Sequence, residues 1–116
     1  MTALHKRRKR RRINIEKLFE LAALYTKQFP AGNEPFQIVT RILEECGEVA
    51  AEVNHFEKSG VKMEKKGEPQ KEALAGEIKQ AINALVQLAQ YYGVEKELAE
   101  SVDASIERRK QALGLK

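Results

Sequence analysis

The chain is poor in cysteine and histidine, and it has no long apolar run. Cys46 is the single cysteine among 116 residues, so no intrachain disulfide forms and no zinc site can be assembled from several cysteines. Histidine occurs only at His5 and His55. A di-metal bundle for oxygen chemistry needs Glu-x-x-His on two separate helices, and only Glu52-Val53-Asn54-His55 has that form. No apolar stretch is long enough to cross a bilayer. The basic segment His5–Arg12 is followed by an amphipathic pattern, not the continuous apolar stretch of a signal peptide. A cytoplasmic protein without a membrane partner is therefore expected. Strand-like alternation of useful length and internal repeats are also missing, which points away from β architecture.

Acidic residues are absent before Glu16, while seven of the 21 Lys and Arg lie between Lys6 and Arg12. The other 14 face 17 Asp and Glu, so a mildly acidic body carries a basic arm despite the formal net charge of +4. Residues 1–12 are read as that arm and 13–116 as one helical domain. The arm is suited to phosphate contacts with nucleic acid or to an acidic protein partner, or equally to being a solvated or helix-extending tail, since no aromatic residue interleaves it for base stacking. A domain of this size also gains from burying helix faces against another subunit.

Apolar spacing predicts four helices. The first runs from about Ile13 to Phe29, with Ile15, Leu18, Ala22, Tyr25 and Phe29 on one stripe and Pro30-Ala31-Gly32-Asn33 as its stop. The second starts at Pro35, capped by Asn33 or Glu34, and ends near Ser59-Gly60. Its expected core arc is Phe36, Val39, Leu43, Cys46, Ala50 and Val53, which makes Cys46 an inert core thiol. The Lys-, Glu- and Gly-rich segment 60–69 reads as a mobile loop. The third helix spans about Gln70 to Tyr92, with Gly93 as its stop. The fourth spans about Glu95 to Leu113, with Leu98, Val102, Ile106 and Leu113 on one side. The expected class is all-α, a four-helix bundle-like fold.

At about 100° per residue, Glu45, Glu48 and Glu52 form a carboxylate stripe along the rim of the second helix's apolar arc, and Glu44 points to solvent. On the third helix Glu77 falls inside the arc of Leu74, Ile78, Ala81, Leu85, Leu88 and Tyr92, with Gln80 one turn later at its edge. A single helical glutamate is usually solvated. Carboxylates that converge on one pocket repel one another unless a cation such as Mg²⁺ or Mn²⁺ sits between them. Such an ion would hold and polarise a phosphate group.

These residues resemble a known family. Glu44-Glu45-Cys46-Gly47-Glu48-Val49-Ala50 is similar to the first motif of MazG-like, all-α nucleoside triphosphate pyrophosphohydrolases. Ala73-Leu74-Ala75-Gly76-Glu77-Ile78-Lys79-Gln80 is similar to the second, and 85–94 to its continuation; the similarity covers roughly residues 15 to 113. The resemblance implies a MazG-type fold completed by oligomerisation, as a homodimer or tetramer. It further implies Mg²⁺- or Mn²⁺-dependent cleavage of a nucleoside triphosphate, or a related nucleotide, to monophosphate and pyrophosphate. Glu45, Glu48 and Glu77 would be metal ligands, and Glu48 or Glu52 the catalytic base. Gln80 stands where the family has aspartate; an amide offers an oxygen but no charge, so it binds a hard cation more weakly. The phosphate-binding candidates are Lys62, Lys65 and Lys66 in the loop, with Arg108, Arg109 and Lys110 on the last helix. His55 is read as a surface residue, or a helper near the acids. The competing expectation is a catalytically inactive MazG-like module that contacts nucleic acid or protein through residues 5–12.

Overall fold

The computed structural model describes residues 12–58 and 67–116. Within them lie four helices and no strand: α1 (Ile15–Gln28), α2 (Pro35–Phe56), α3 (Lys71–Tyr91) and α4 (Glu95–Ala112). The basic arm up to residue 11 and loop residues 59–66, with Lys62, Lys65 and Lys66, lie outside the described residues. Among the described residues no helix is long and apolar enough to cross a membrane.

The helix ends follow local chemistry. Asn14 caps α1, its side-chain oxygen accepting from the Lys17 amide at 2.9 Å. Pro35 begins α2, and Gln37 Oε1 accepts from the amide of the capping residue Glu34 at 3.0 Å. Gly93 has φ 65°, which lets the Val94 amide turn back to the Ala89 carbonyl at 2.9 Å and close α3.

α3 is the central element. It packs most extensively against α2, less against α1, and only lightly against α4. The bundle is therefore open, because α4 does not close onto α1 and α2 as a regular four-helix bundle would require. Leu98 is half-buried, but Val102, Ile106 and Leu113 of the expected core stripe are exposed.

The face that α2 buries also differs from expectation. Ile38, Glu52 and His55 are buried, and Arg41, Ile42, Glu45, Val49 and Phe56 are half-buried. The expected core arc faces outward instead: Phe36 is 88% exposed, Leu43 68%, and Val39, Cys46, Ala50 and Val53 are exposed too. The two faces lie roughly 130° apart around the helix. Cys46 is thus a surface thiol. Periodicity marks a face that needs covering, and here the covering is not supplied by the chain's own helices. Likewise Ile78, Leu85 and Tyr92 of α3 are exposed, whereas Glu77 on the neighbouring side is half-buried.

The resulting interior is half polar. Ala22, Ile38, Ala84 and Val86 are its buried apolar residues, beside buried Glu52, His55, Asn83 and Gln87. Ile38 is the bulkiest fully buried side chain. Ile38→Ala is expected to lower stability by about 2–4 kcal/mol, through lost apolar burial and the cavity left behind. A denaturant titration measures this, and a midpoint shared with the unmodified chain would show that Ile38 does not anchor the interior.

Candidate functional site

Residues three or four apart share one side of a helix, and this spacing lines up Arg41, Glu45, Glu48 and Glu52 on α2. The same spacing on α3 aligns Glu77, Gln80, Asn83 or Ala84, and Gln87. Because α2 and α3 pack together, the two rows meet. Between them, and closed on the α1 side by Tyr25 and Phe29, lies a cavity of ≈ 270 Å³. Glu45 and Gln80 line it, together with Arg41, Asn83, Ala84 and Gln87, and the α1–α2 connection adds Ala31 and Asn33.

Arg41 is held in this wall by three acceptors. Its guanidinium donates to the Gly32 carbonyl, Asn33 Oδ1 and Gln87 Oε1, each at 3.1 Å. Gln87 in turn donates to Thr26 Oγ1 of α1 at 3.0 Å, and Asn33 donates to the Phe29 carbonyl at 2.8 Å. The Gly32 carbonyl is presented by a turn with φ 80° at that glycine, a left-handed conformation that other residues adopt reluctantly.

The carboxyl of Glu45 is pushed above its ordinary value of 4.5 by partial burial, then by the charges of Glu77, Glu48 and Glu44; Arg41 opposes the shift. The structure therefore brings Glu48 on the same helix and Glu77 on α3 within electrostatic reach of Glu45. Glu48 is exposed, whereas Glu77 and Gln80 are half-buried. Among the described residues no three His, Cys, Asp or Glu side chains stand close enough to hold a metal ion. In donor chemistry the set fits a hard cation: three carboxylates, one amide oxygen, and a mutual repulsion that a cation would relieve.

Several expected assignments change. Glu52 is only 3% exposed and lies outside the cavity lining, with His55 Nδ1 3.8 Å from its Oε1. His55 is buried, not a surface residue; its Nε2 meets the Gly67 carbonyl, which ties the end of α2 to the segment before α3. Burial explains the change, since Glu52 and His55 fall on the side of α2 that faces α3. Arg108 and Arg109 are exposed on α4 and do not line the cavity. Arg108 donates to Ser105 Oγ at 3.1 Å, and Arg109 borders a separate groove with Val102, Ile106, Lys110 and Leu113. They stay apart because α4 leans only on α3. The cation that does reach the cavity, Arg41, was signalled by its position one turn before Glu45. Asn83 and Gln87 carried no such signal, because their inward direction depends on which face of α3 is covered.

No protein-family model, curated protein or solved structure matches the chain.

The raised Glu45 carboxyl has a defined effect on stability. The folded state binds this proton more tightly than the unfolded state, so the contribution is fully present below the ordinary carboxylate value and lost as pH rises through the raised one. Glu45→Gln is expected to stabilise the metal-free protein at pH 7, by less than about 1 kcal/mol because solvent screens a partly exposed group. The gain shrinks as pH falls below the carboxylate range. Thermal melts of both proteins across pH 4 to 7 test this, and a destabilised variant at pH 7 would contradict it.

Proposed function

We propose that the chain is a Mg²⁺- or Mn²⁺-dependent pyrophosphohydrolase that converts a nucleoside triphosphate, or a related nucleotide, to monophosphate and pyrophosphate. The observation that carries this reading is the Glu45, Glu48 and Glu77 cluster. Partial burial, and then the charges of Glu77 and Glu48, raise the Glu45 carboxyl at the wall of a cavity that also holds a fixed arginine. The resemblance of segments 44–50 and 73–80 to the two MazG-type motifs supports the same chemistry.

In this reading Glu45, Glu48 and Glu77 would have to draw together to hold the cation, with the Gln80 amide oxygen as the weaker fourth donor. A divalent cation bound there neutralises phosphate charge and increases the acidity of a water molecule. The protein's own groups do the rest. Arg41, fixed by three acceptors, offers its charge to phosphate oxygens without first having to be ordered. Glu48, the exposed acid of the cluster, is placed to accept a proton from water. Glu52 is the less suitable base because its carboxylate faces His55 in the interior.

Pyrophosphate release from a panel of canonical and modified nucleoside triphosphates, with Mg²⁺ or Mn²⁺, tests the activity. Glu48→Ala is expected to reduce release by about 100-fold or more, the size of a lost general base. Gln80→Asp is expected to increase metal affinity by restoring a charged ligand. A second reading, an inactive module that binds nucleic acid or protein through residues 5–12, is favoured by the amide at Gln80. Release absent from the unmodified chain but gained in Gln80→Asp would support it.

The quaternary structure belongs to the same proposal. Phe36, Val39, Leu43, Cys46 and Val53 form an uncharged, exposed stripe on α2, and a second copy covers it in a homodimer or a dimer-based tetramer. Small Gly47 and Ala50 near its middle allow two such helices to approach closely. Leu43→Asp is expected to shift the sedimentation profile towards monomer. A monomeric unmodified chain at high concentration would contradict the assembly.

A further inference from the structure

The cavity beside the acidic cluster contains one polar group that the surrounding network leaves out. Arg41, Asn33, Gln87 and Thr26 satisfy one another through the hydrogen bonds described above. Asn83, on α3 between Gln80 and Gln87, is only 7% exposed, and among the described residues its Oδ1 has no hydrogen-bond partner. A buried amide oxygen without a donor bears an uncompensated desolvation cost, whereas a leucine of similar size would not. The same cavity has an aromatic wall in Tyr25 and Phe29, whose rings are 6.2 Å apart and tilted by 30°. An aromatic wall with one unmatched acceptor suits a flat heterocycle that carries an N–H donor on its edge.

We propose that this cavity receives the base of the nucleotide, and that Asn83 Oδ1 accepts a hydrogen bond from a ring N–H or exocyclic amine of that base. Asn83 is then a specificity-determining residue. The identity of the ligand as a nucleotide rests on the pyrophosphohydrolase reading, but the unmatched acceptor does not. The arrangement places the base among Tyr25, Phe29 and Asn83, with Arg41 and Glu45 in the same wall towards the phosphate-handling cluster. Discrimination comes from the acceptor itself: a base whose N–H is blocked leaves Asn83 Oδ1 unpaired in the complex, so its affinity falls.

Free nucleosides without phosphates isolate this contact from catalysis. The full chain, kept metal-free with a chelator, is titrated calorimetrically with uridine, cytidine, adenosine, guanosine and their N-methylated counterparts that lack the edge donor. At least one nucleoside is expected to bind, and its N-methylated counterpart to bind roughly tenfold or more weakly. Asn83→Leu is expected to erase that difference, while Asn83→Asp, which keeps an acceptor, retains it. Circular dichroism melts confirm that both variants are folded. Failure of every nucleoside to bind, or a difference that survives Asn83→Leu, overturns the assignment of Asn83. Nucleoside binding that follows this pattern without any pyrophosphate release upholds the base pocket and removes the catalytic reading. Metal-dependent release whose base preference is untouched by Asn83→Leu does the reverse.

Discussion

The Gln87 side chain joins three helices through a single amide. It donates to Thr26 of α1 and accepts from Arg41 of α2 while belonging to α3. Arg41 extends the link to Gly32 and Asn33 in the connection between α1 and α2. Because α1 and α2 both lean on α3, this relay sets their relative placement at the point where the cavity opens. Partial burial of a charge such as Arg41 costs least when its donors are matched, and three acceptors are supplied here. The polar interior is thus a consequence of bringing a cation to an acidic seam, and the acidic seam in turn gives the cation something to balance.

That seam stores electrostatic tension. Glu77 and Glu48 raise the Glu45 carboxyl, and Arg41 offsets only part of the effect. A protein selected for stability alone would place apolar side chains at such positions. Instead Glu45 and Arg41 line the cavity, with Glu48 and Glu77 close enough to Glu45 for their charges to act on it. Gln80 reduces the charge of the set by one relative to the motif it resembles, which lowers both the repulsion and the attraction for a cation. Asn83 adds an unmatched buried acceptor about a turn away among the described residues.

The outward stripe on α2 lies on the helix that also supplies Arg41 and Glu45 to the cavity. The helix buries its polar row against α3 and leaves its apolar row exposed, the reverse of what an isolated amphipathic helix does in a monomer. The same helix thereby carries acidic residues on one side and an exposed apolar stripe on another.

Much of the fold was legible in the residues. The positions of α1, α2, α3 and α4, the start at Pro35 and the stop at Gly93 follow from spacing, capping and φ preference, which act within a few residues. The alignment of Glu45 and Glu48 on one helix and of Glu77 and Gln80 on the other was also legible, since i, i+3 spacing follows from helix geometry alone. Which face of α2 turns inward was not, because two faces compete and the choice depends on partners from other helices. The same reason hid Arg41, Asn83 and Gln87, misplaced Cys46 in a core, and assigned Arg108 and Arg109 to a site they do not reach. Local chemistry determined the helices and the character of their faces; tertiary structure decided which faces meet, because matching a buried charge requires groups distant in the chain.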